Sequence, residues 1–147
     1  MKDAFGGAFM LKIMIIFFVI FISFMTVAIN FAKTFRIKNN VINIIESNDV
    51  TSVEIQDKIL NYLRSASYVY NNNPQIKEHC DSIMAKSELA KDSSFPLKGD
   101  IGGVCVVPFG SRDSYYYWVS SYMVVNSPMF SLGFAIPIVG ESKILVS

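Results

Sequence analysis

Ile13 to Ala32 reads IMIIFFVIFISFMTVAINFA, twenty consecutive residues without a formal charge, closed off by Lys12 and Lys33. At about 1.5 Å per residue a helix of this length measures about 30 Å, the thickness of a bilayer's hydrocarbon core. A buried helix of a soluble protein would show a polar face every third or fourth residue. Here only Ser23, Thr26 and Asn30 are polar, and Ser and Thr can bond back to their own helix. The stretch reads as a transmembrane helix. A cleaved secretory signal fits less well, because its apolar region is shorter, about 7–15 residues, and ends in a small-x-small site. The sequence Val27-Ala28-Ile29-Asn30-Phe31-Ala32 sets large residues where small ones are needed.

Working outward, residues 1–12 form a short leader and residues 33–48 continue the helix. Phe35, Ile37, Val41, Ile44 and Ile45 recur between Lys33, Arg36, Lys38, Asn39, Asn40 and Asn43, with no Gly or Pro among them. That is an amphipathic pattern, and it runs to the turn-prone Ser47-Asn48-Asp49. The helix is thus too long for a tether alone, and its second half should lie on a domain formed by residues 49–147.

Within that domain, Thr51-Ser52-Val53-Glu54 fits a capping box for a helix whose apolar stripe is Val53, Ile59, Leu60, Leu63 and Ala66. Asn71-Asn72-Asn73-Pro74 breaks the chain, and Pro74 is suited to the first turn of a short helix toward Ile83. Residues 84–100 are polar and mixed and read as a loop. Gly102-Gly103 reads as a turn and Gly103 to Val107 as a strand. After a turn at Gly110-Ser111-Arg112-Asp113, the stretch from Ser114 to Val125 is dense in aromatic and β-branched residues, which suit a pleated surface. Asn126-Ser127-Pro128 turns the chain into a last strand. There Leu132, Phe134, Ile136 and Ile138 alternate with Gly133, Ala135, Pro137 and Val139, and Lys143 to Val146 extends the sheet. Pro137 cannot donate to a ladder, so this strand belongs at an edge or leaves that position unpaired. Helices first and an antiparallel meander last define an α+β fold, with the sheet resting on the long helix.

The chain has 147 residues, 52% of them apolar and 17% charged, with a net charge of +1. That balance excludes the electrostatic footprint of a nucleic-acid partner. Cationic residues on the two sides of the span nearly tie, so the positive-inside rule does not orient it. The cysteines do: Cys80 and Cys105 in a small domain beside a membrane helix point to a disulfide. Such a bond forms on the oxidising, extracytoplasmic side. The alternative is two unrelated buried thiols. His79 next to Cys80 lacks the convergent ligands a metal needs, and adjacent helical residues point in different directions, which disfavours a nucleophile–base pair. No phosphate loop, GxSxG or HExxH is present, and no cofactor or catalytic group is expected. Tyr116 and Trp118 share one face of their strand. They form either a partner or glycan contact or, more simply, a surface half-covered by residues 84–100.

A short leader, a single helix leaving the membrane and an antiparallel meander make a layout that resembles pilin-like proteins. More specifically it resembles the TadE-like minor pilins and small related proteins of Gram-positive bacteria. The likeness is carried by Met1-Lys2-Asp3-Ala4-Phe5-Gly6-Gly7-Ala8-Phe9-Met10 and by Ala32-Lys33-Thr34-Phe35-Arg36-Ile37-Lys38-Asn39 with Ile44-Ile45-Glu46. The closing Ile136-Pro137-Ile138-Val139-Gly140-Glu141-Ser142-Lys143 adds to it. The resemblance implies a non-enzymatic component of a pilus or secretion-type assembly, with the lipid bilayer, other membrane helices and assembly subunits as partners. It also implies leader cleavage between Gly7 and Ala8, after which the family carries Glu at the fifth position. Here that position is Lys12, so the resemblance favours an uncleaved membrane-held component. A membrane-tethered module that recognises a cell-wall ligand through its aromatic sheet face is the alternative.

Overall fold

The computed structural model describes residues 2–68, 73–127 and 130–146, with side chains described for all of these except 125–127 and 130–134. It is an α+β protein that divides into two compact units, Met1–Ala32 and Lys33–Ser147. One helix, α1 (Lys2–Ser47), supplies the whole of the first unit and the start of the second.

In the first unit α1 is apolar and uncovered. It contains a helix window of mean hydropathy 2.6, none of it buried, long and apolar enough to cross a membrane. Its hydroxyls are satisfied internally: Ser23 Oγ donates to the Val19 carbonyl at 2.8 Å and Thr26 Oγ1 to that of Ile22 at 2.9 Å. Back-bonding of this kind lets Ser and Thr sit in an apolar helix without an exposed donor.

In the second unit the remainder of α1 buries Thr34, Ile37, Lys38, Val41 and Ile45. Helix α2 (Glu54–Ser65) lays Ile55, Ile59 and Leu63 on the same core. Both sets recur mainly at four-residue spacing, so each forms one ridge along its helix. The capping box does not form. Thr51 gives both its N–H (3.0 Å) and its hydroxyl (2.7 Å) to Asp49 Oδ1, an Asx turn that stops α1's exit from wandering. The Glu54 N–H is accepted by Ser52 Oγ at 3.2 Å instead. As a result Val53 sits outside the helix and is 69% exposed, while Ile55, absent from the expected stripe, is buried.

Helix α3 (Pro74–Lys86) starts as expected, with Pro74 in its first turn and Asn73 accepting from the Gln75 N–H at 3.0 Å. It runs three residues beyond Ile83. The segment read as a loop is partly ordered: it holds a 3-10 turn, Leu89–Lys91, and the first strand, β1 (Gly99–Ile101). The other strands are β2 (Val104–Gly110), β3 (Ser114–Ser127), β4 (Phe130–Glu141) and β5 (Leu145–Val146). All pairings are antiparallel, in the order β1-β2-β3-β4, and β5 joins β3 at Ser114 and Tyr115. β3 extends through Asn126 and Ser127, which were expected in the turn. The chain break read at Asn71-Asn72, the turn residue Pro128 and the side chains of Leu132 and Phe134 lie outside the described residues.

β4 is an edge strand among the described residues, and Pro137 sits opposite Tyr122 in it. Two residues away, the Ala135 N–H points away from β3 and donates to Gln75 Oε1 at 3.0 Å. Pro137, in phase with Ala135, therefore occupies an outward position where no ladder donor is required, as edge placement demands.

The β1–β2 hairpin turn shows why glycine stands where it does. Gly102 and Gly103, at φ 61° and 95°, make the two-residue β1–β2 turn that needs positive φ at both positions. Asp100 Oδ1 accepts the Gly103 N–H there at 2.9 Å. Half-burial raises the Asp100 pKa above its ordinary 3.8, with Asp81 adding to the rise, while the Gly103 hydrogen bond and Lys77 oppose it. A carboxyl whose folded-state pKa is raised favours folding most when protonated. Its contribution is lost as pH rises through the folded-state value. Asp100→Asn keeps the acceptor and removes the charge. The expected result is a melting temperature at neutral pH equal to or above wild type, with the difference vanishing below about pH 3. A melting series across that range checks it, and a variant less stable at pH 7 than at pH 3 relative to wild type contradicts it.

Candidate functional site

The sheet has a different core on each face. Tyr115, Tyr117 and Val119 of β3, with Val104 and Val106 of β2, pack with α1 and α2. On the opposite face Cys105, Val107 and Tyr122 are buried with Ile76 and Cys80 of α3 and Ala90, and Phe109, Trp118 and Val124 lie against them. Strand alternation dictates this split, and the aromatic run is divided as its sequence requires. What covers the second face is chiefly α3. Residues 84–100 wrap the sheet and feed both cores: Ala90 enters the α3 side, while Leu89, Phe95 and Leu97 enter the α1 side.

Cys80 and Cys105 form a disulfide with Cα atoms 5.6 Å apart, both fully buried. It joins the middle of α3 to β2. Beside it, His79 turns its Nδ1 to the Tyr122 hydroxyl at 2.6 Å, and the two rings meet edge-on at 5.6 Å. Burial raises the Tyr122 pKa, with a further push from Asp100, so the phenol remains neutral. His79 also lies 6.1 Å from the Trp118 ring. Cys80 thus has no free thiol, and His79 is directed at a phenol. No group of three or more metal-ligating side chains is found among the described residues.

Tyr116 and Trp118 are both half-buried. Tyr116 stacks on Phe109 with ring centres 6.1 Å apart, and Trp118 rests on the α3 side. Gly7 and Ala8, the family's cleavage position, are exposed and helical within α1, and a Cβ at Gly7 would meet nothing within 4 Å.

Three features of the domain were not anticipated from sequence. Tyr68, the third residue past the end of α2, inserts its hydroxyl where β2 begins, beside the middle of β3. It lies 3.1 Å from the carbonyls of Gly103 and Tyr122 and accepts the Tyr122 N–H at 2.7 Å. Lys38 is only 7% exposed. Its ammonium stands 4.2 Å over the Phe35 ring and its stem packs where Gly140 has no side chain. That is a cation–π contact, and a Cβ at Gly140 would stand 3.0–3.1 Å from Lys38 and Ile42 carbons, closer than van der Waals contact, so those side chains would have to give way. Third, the Tyr117 hydroxyl is wholly buried with no hydrogen-bond partner among the described residues, and burial pushes its pKa up. An unpaired buried hydroxyl costs more than the bond it lacks. Tyr117→Phe is therefore expected to leave stability unchanged or raise it by up to about 1 kcal/mol, as read by urea unfolding. A loss of stability would point to a hydrogen bond from an ordered water.

No protein-family model matches the chain. No curated protein matches it either, nor does a solved structure. The functional reading therefore stands on the geometry and on the resemblance of layout.

Proposed function

We propose that this protein is a non-enzymatic, pilin-like membrane component of a pilus or secretion-type surface assembly, close in layout to TadE-like proteins. The observation that carries the reading is the single unbroken α1. Its first unit exposes every large apolar side chain from Phe5 (79%) to Phe31 (50%), and its continuation is the spine of an α+β domain. So large an apolar surface requires lipid or other helices around it. The disulfide supports placing the domain on the extracytoplasmic side of the cell membrane. Assembly then works through α1 packing on neighbouring membrane helices and through contacts of the outer domain, with Lys12 retained in an uncleaved leader.

The expected result of crosslinking in the native membrane is recovery of complexes through α1. Recovery of monomer alone would count against the proposal. The stacked, half-buried Phe109–Tyr116 pair favours one second reading, a membrane-tethered module that binds a cell-wall ligand through its aromatic face. Alanine at Tyr116 and Trp118 separates the two. Ligand binding lost with crosslinked complexes intact supports the module, and intact ligand behaviour supports the assembly component.

A further inference from the structure

From Ala135 on, the odd-numbered residues of β4 point their backbone groups away from β3, as alternation along an antiparallel ladder requires. The Ala135 N–H goes to Gln75 Oε1, and just past the strand the Lys143 N–H goes to Glu46 Oε1 at 2.8 Å. The intervening Ser142 N–H turns inward, to the Tyr117 carbonyl at 2.9 Å. A side chain therefore closes the outer edge at each end. Between the two caps Val139 and Glu141 each offer an N–H and a carbonyl, and Pro137 offers a carbonyl. None of these groups has a partner among the described residues. An open edge of this kind is a template for another strand.

The edge is bordered by an unusual cation. Even-numbered residues of β4 turn toward α1: Ile138 is buried, and Gly140 lies against the Lys38 stem and Ile42. Lys38, Ile42 and Glu46, at four-residue spacing, make up the flank of α1 beside this edge. Lys38 is largely withdrawn from water, yet among the described residues no carboxylate lies within ion-pair distance of it. Its ammonium faces the Phe35 ring instead. A charge held in such a place gains from an anionic partner. Around it Phe35, Ile136 and Val139 expose apolar surface.

We infer that the outer edge of β4, from Pro137 to Glu141, takes an extended segment of a partner protein as an added strand. An acidic residue of that segment, opposite Gly140, sets its carboxylate on the Lys38 ammonium. Side chains opposite even-numbered residues point to the α1 face, so apolar residues two places to either side of the acid meet Ile138 and its surroundings. The β4 strand of a second copy does not fit in antiparallel pairing. Outward-facing residues then meet outward-facing ones, so its Glu141 falls opposite an odd position, on the face away from Lys38. A proline on each strand also removes a ladder donor from both. This edge is the outer-domain contact of the assembly reading, on which it rests.

The test uses the full chain in detergent and a labelled peptide, Lys-Thr-Val-Thr-Glu-Thr-Val-Thr-Lys, with a control in which glutamine replaces the glutamate. The expected result is saturable binding by fluorescence anisotropy, about tenfold weaker for the glutamine peptide. Lys38→Met should abolish that difference, with Lys38→Gln as a second variant should the first misfold. Amide exchange at Val139 and Glu141 should slow in the complex. Absence of saturable binding, equal binding of the two peptides, a difference that survives in the Lys38 variants, or unchanged exchange at both amides overturns the proposal. Self-association of the chain that Val139→Pro abolishes, without peptide binding, gives the edge to a second copy and likewise overturns it. Membrane crosslinking through α1 separates the two readings: complexes that persist where the peptide fails leave the assembly component standing, and loss of both removes both.

Discussion

Replacing both Cys80 and Cys105 by serine is expected to lower the stability of the domain by about 3 kcal/mol, the chain-entropy value for a loop of this size. The two residues are 25 apart in sequence. Cross-linking them restricts the unfolded chain, so the loss appears mainly in the equilibrium rather than in the folded geometry. For a domain of this length it corresponds to a drop of about 10 °C in melting temperature. The structural effect should be local. Besides the disulfide, α3 is held to the second face of the sheet by Ile76, by the His79–Tyr122 hydrogen bond and by the Gln75–Ala135 contact. Both sulfurs are buried, so a reductant should act slowly on the folded chain and quickly once urea opens it. Thermal melts of the full chain in detergent, with and without reductant, check the prediction. A melting point unchanged after complete reduction would show that α3 docks without the bond.

Tyr68→Phe is expected to cost about 1–3 kcal/mol although the ring remains in place. The hydroxyl accepts the Tyr122 N–H at 2.7 Å and approaches the Gly103 and Tyr122 carbonyls. Removing it leaves a buried backbone donor without an acceptor, and such a group bears the full desolvation penalty. The end of α2 aims this side chain. Ser67 takes φ 55° and the Tyr68 N–H bonds to the Leu63 carbonyl at 2.9 Å. That is a Schellman closure in which Ser replaces the usual Gly. Urea midpoints measure the loss, and amide exchange at Tyr122 identifies its source. Faster exchange at Tyr122 together with a lowered midpoint is the expected pair. Unchanged exchange would mean that another acceptor replaces the hydroxyl. Tyr117→Phe is the internal contrast: the same chemical change, one face away, with no partner to lose.

Much of the fold was legible because it follows from period and punctuation. The uninterrupted apolar run and the amphipathic continuation define α1. Asn73-Pro74 starts α3, Gly102-Gly103 turns β1 into β2, and the alternation from Ser114 onward defines β3. The errors have physical causes. Thr51 and Glu54 fit a capping box, but Asp49 is a nearer acceptor for Thr51, so the helix begins later and Val53 is left exposed. β1 is three residues long and packs within a mixed segment, which gives no periodicity to read. Tyr68 was invisible as a structural residue because its partners are backbone groups far along the chain.

The membrane-length helix is the part that the sequence by itself determined. Length, apolarity and the absence of charge between Lys12 and Lys33 are properties of a contiguous segment, and a helix satisfies its own backbone without help from elsewhere. The pairing of Cys80 with Cys105 was favoured by their number and setting, but a bond needs two Cα atoms within reach, and only the docking of α3 on β2 supplies that. The tertiary structure alone decided that the sheet is covered on both faces, with α1 and α2 on one and α3 on the other. It also decided how α1 lies on the sheet, with Thr34 at Ser121 and Glu46 at Lys143. Those are relations between residues far apart in sequence, 87 positions in the Ser121–Thr34 bond and 97 in the Lys143–Glu46 bond, and no local pattern records them.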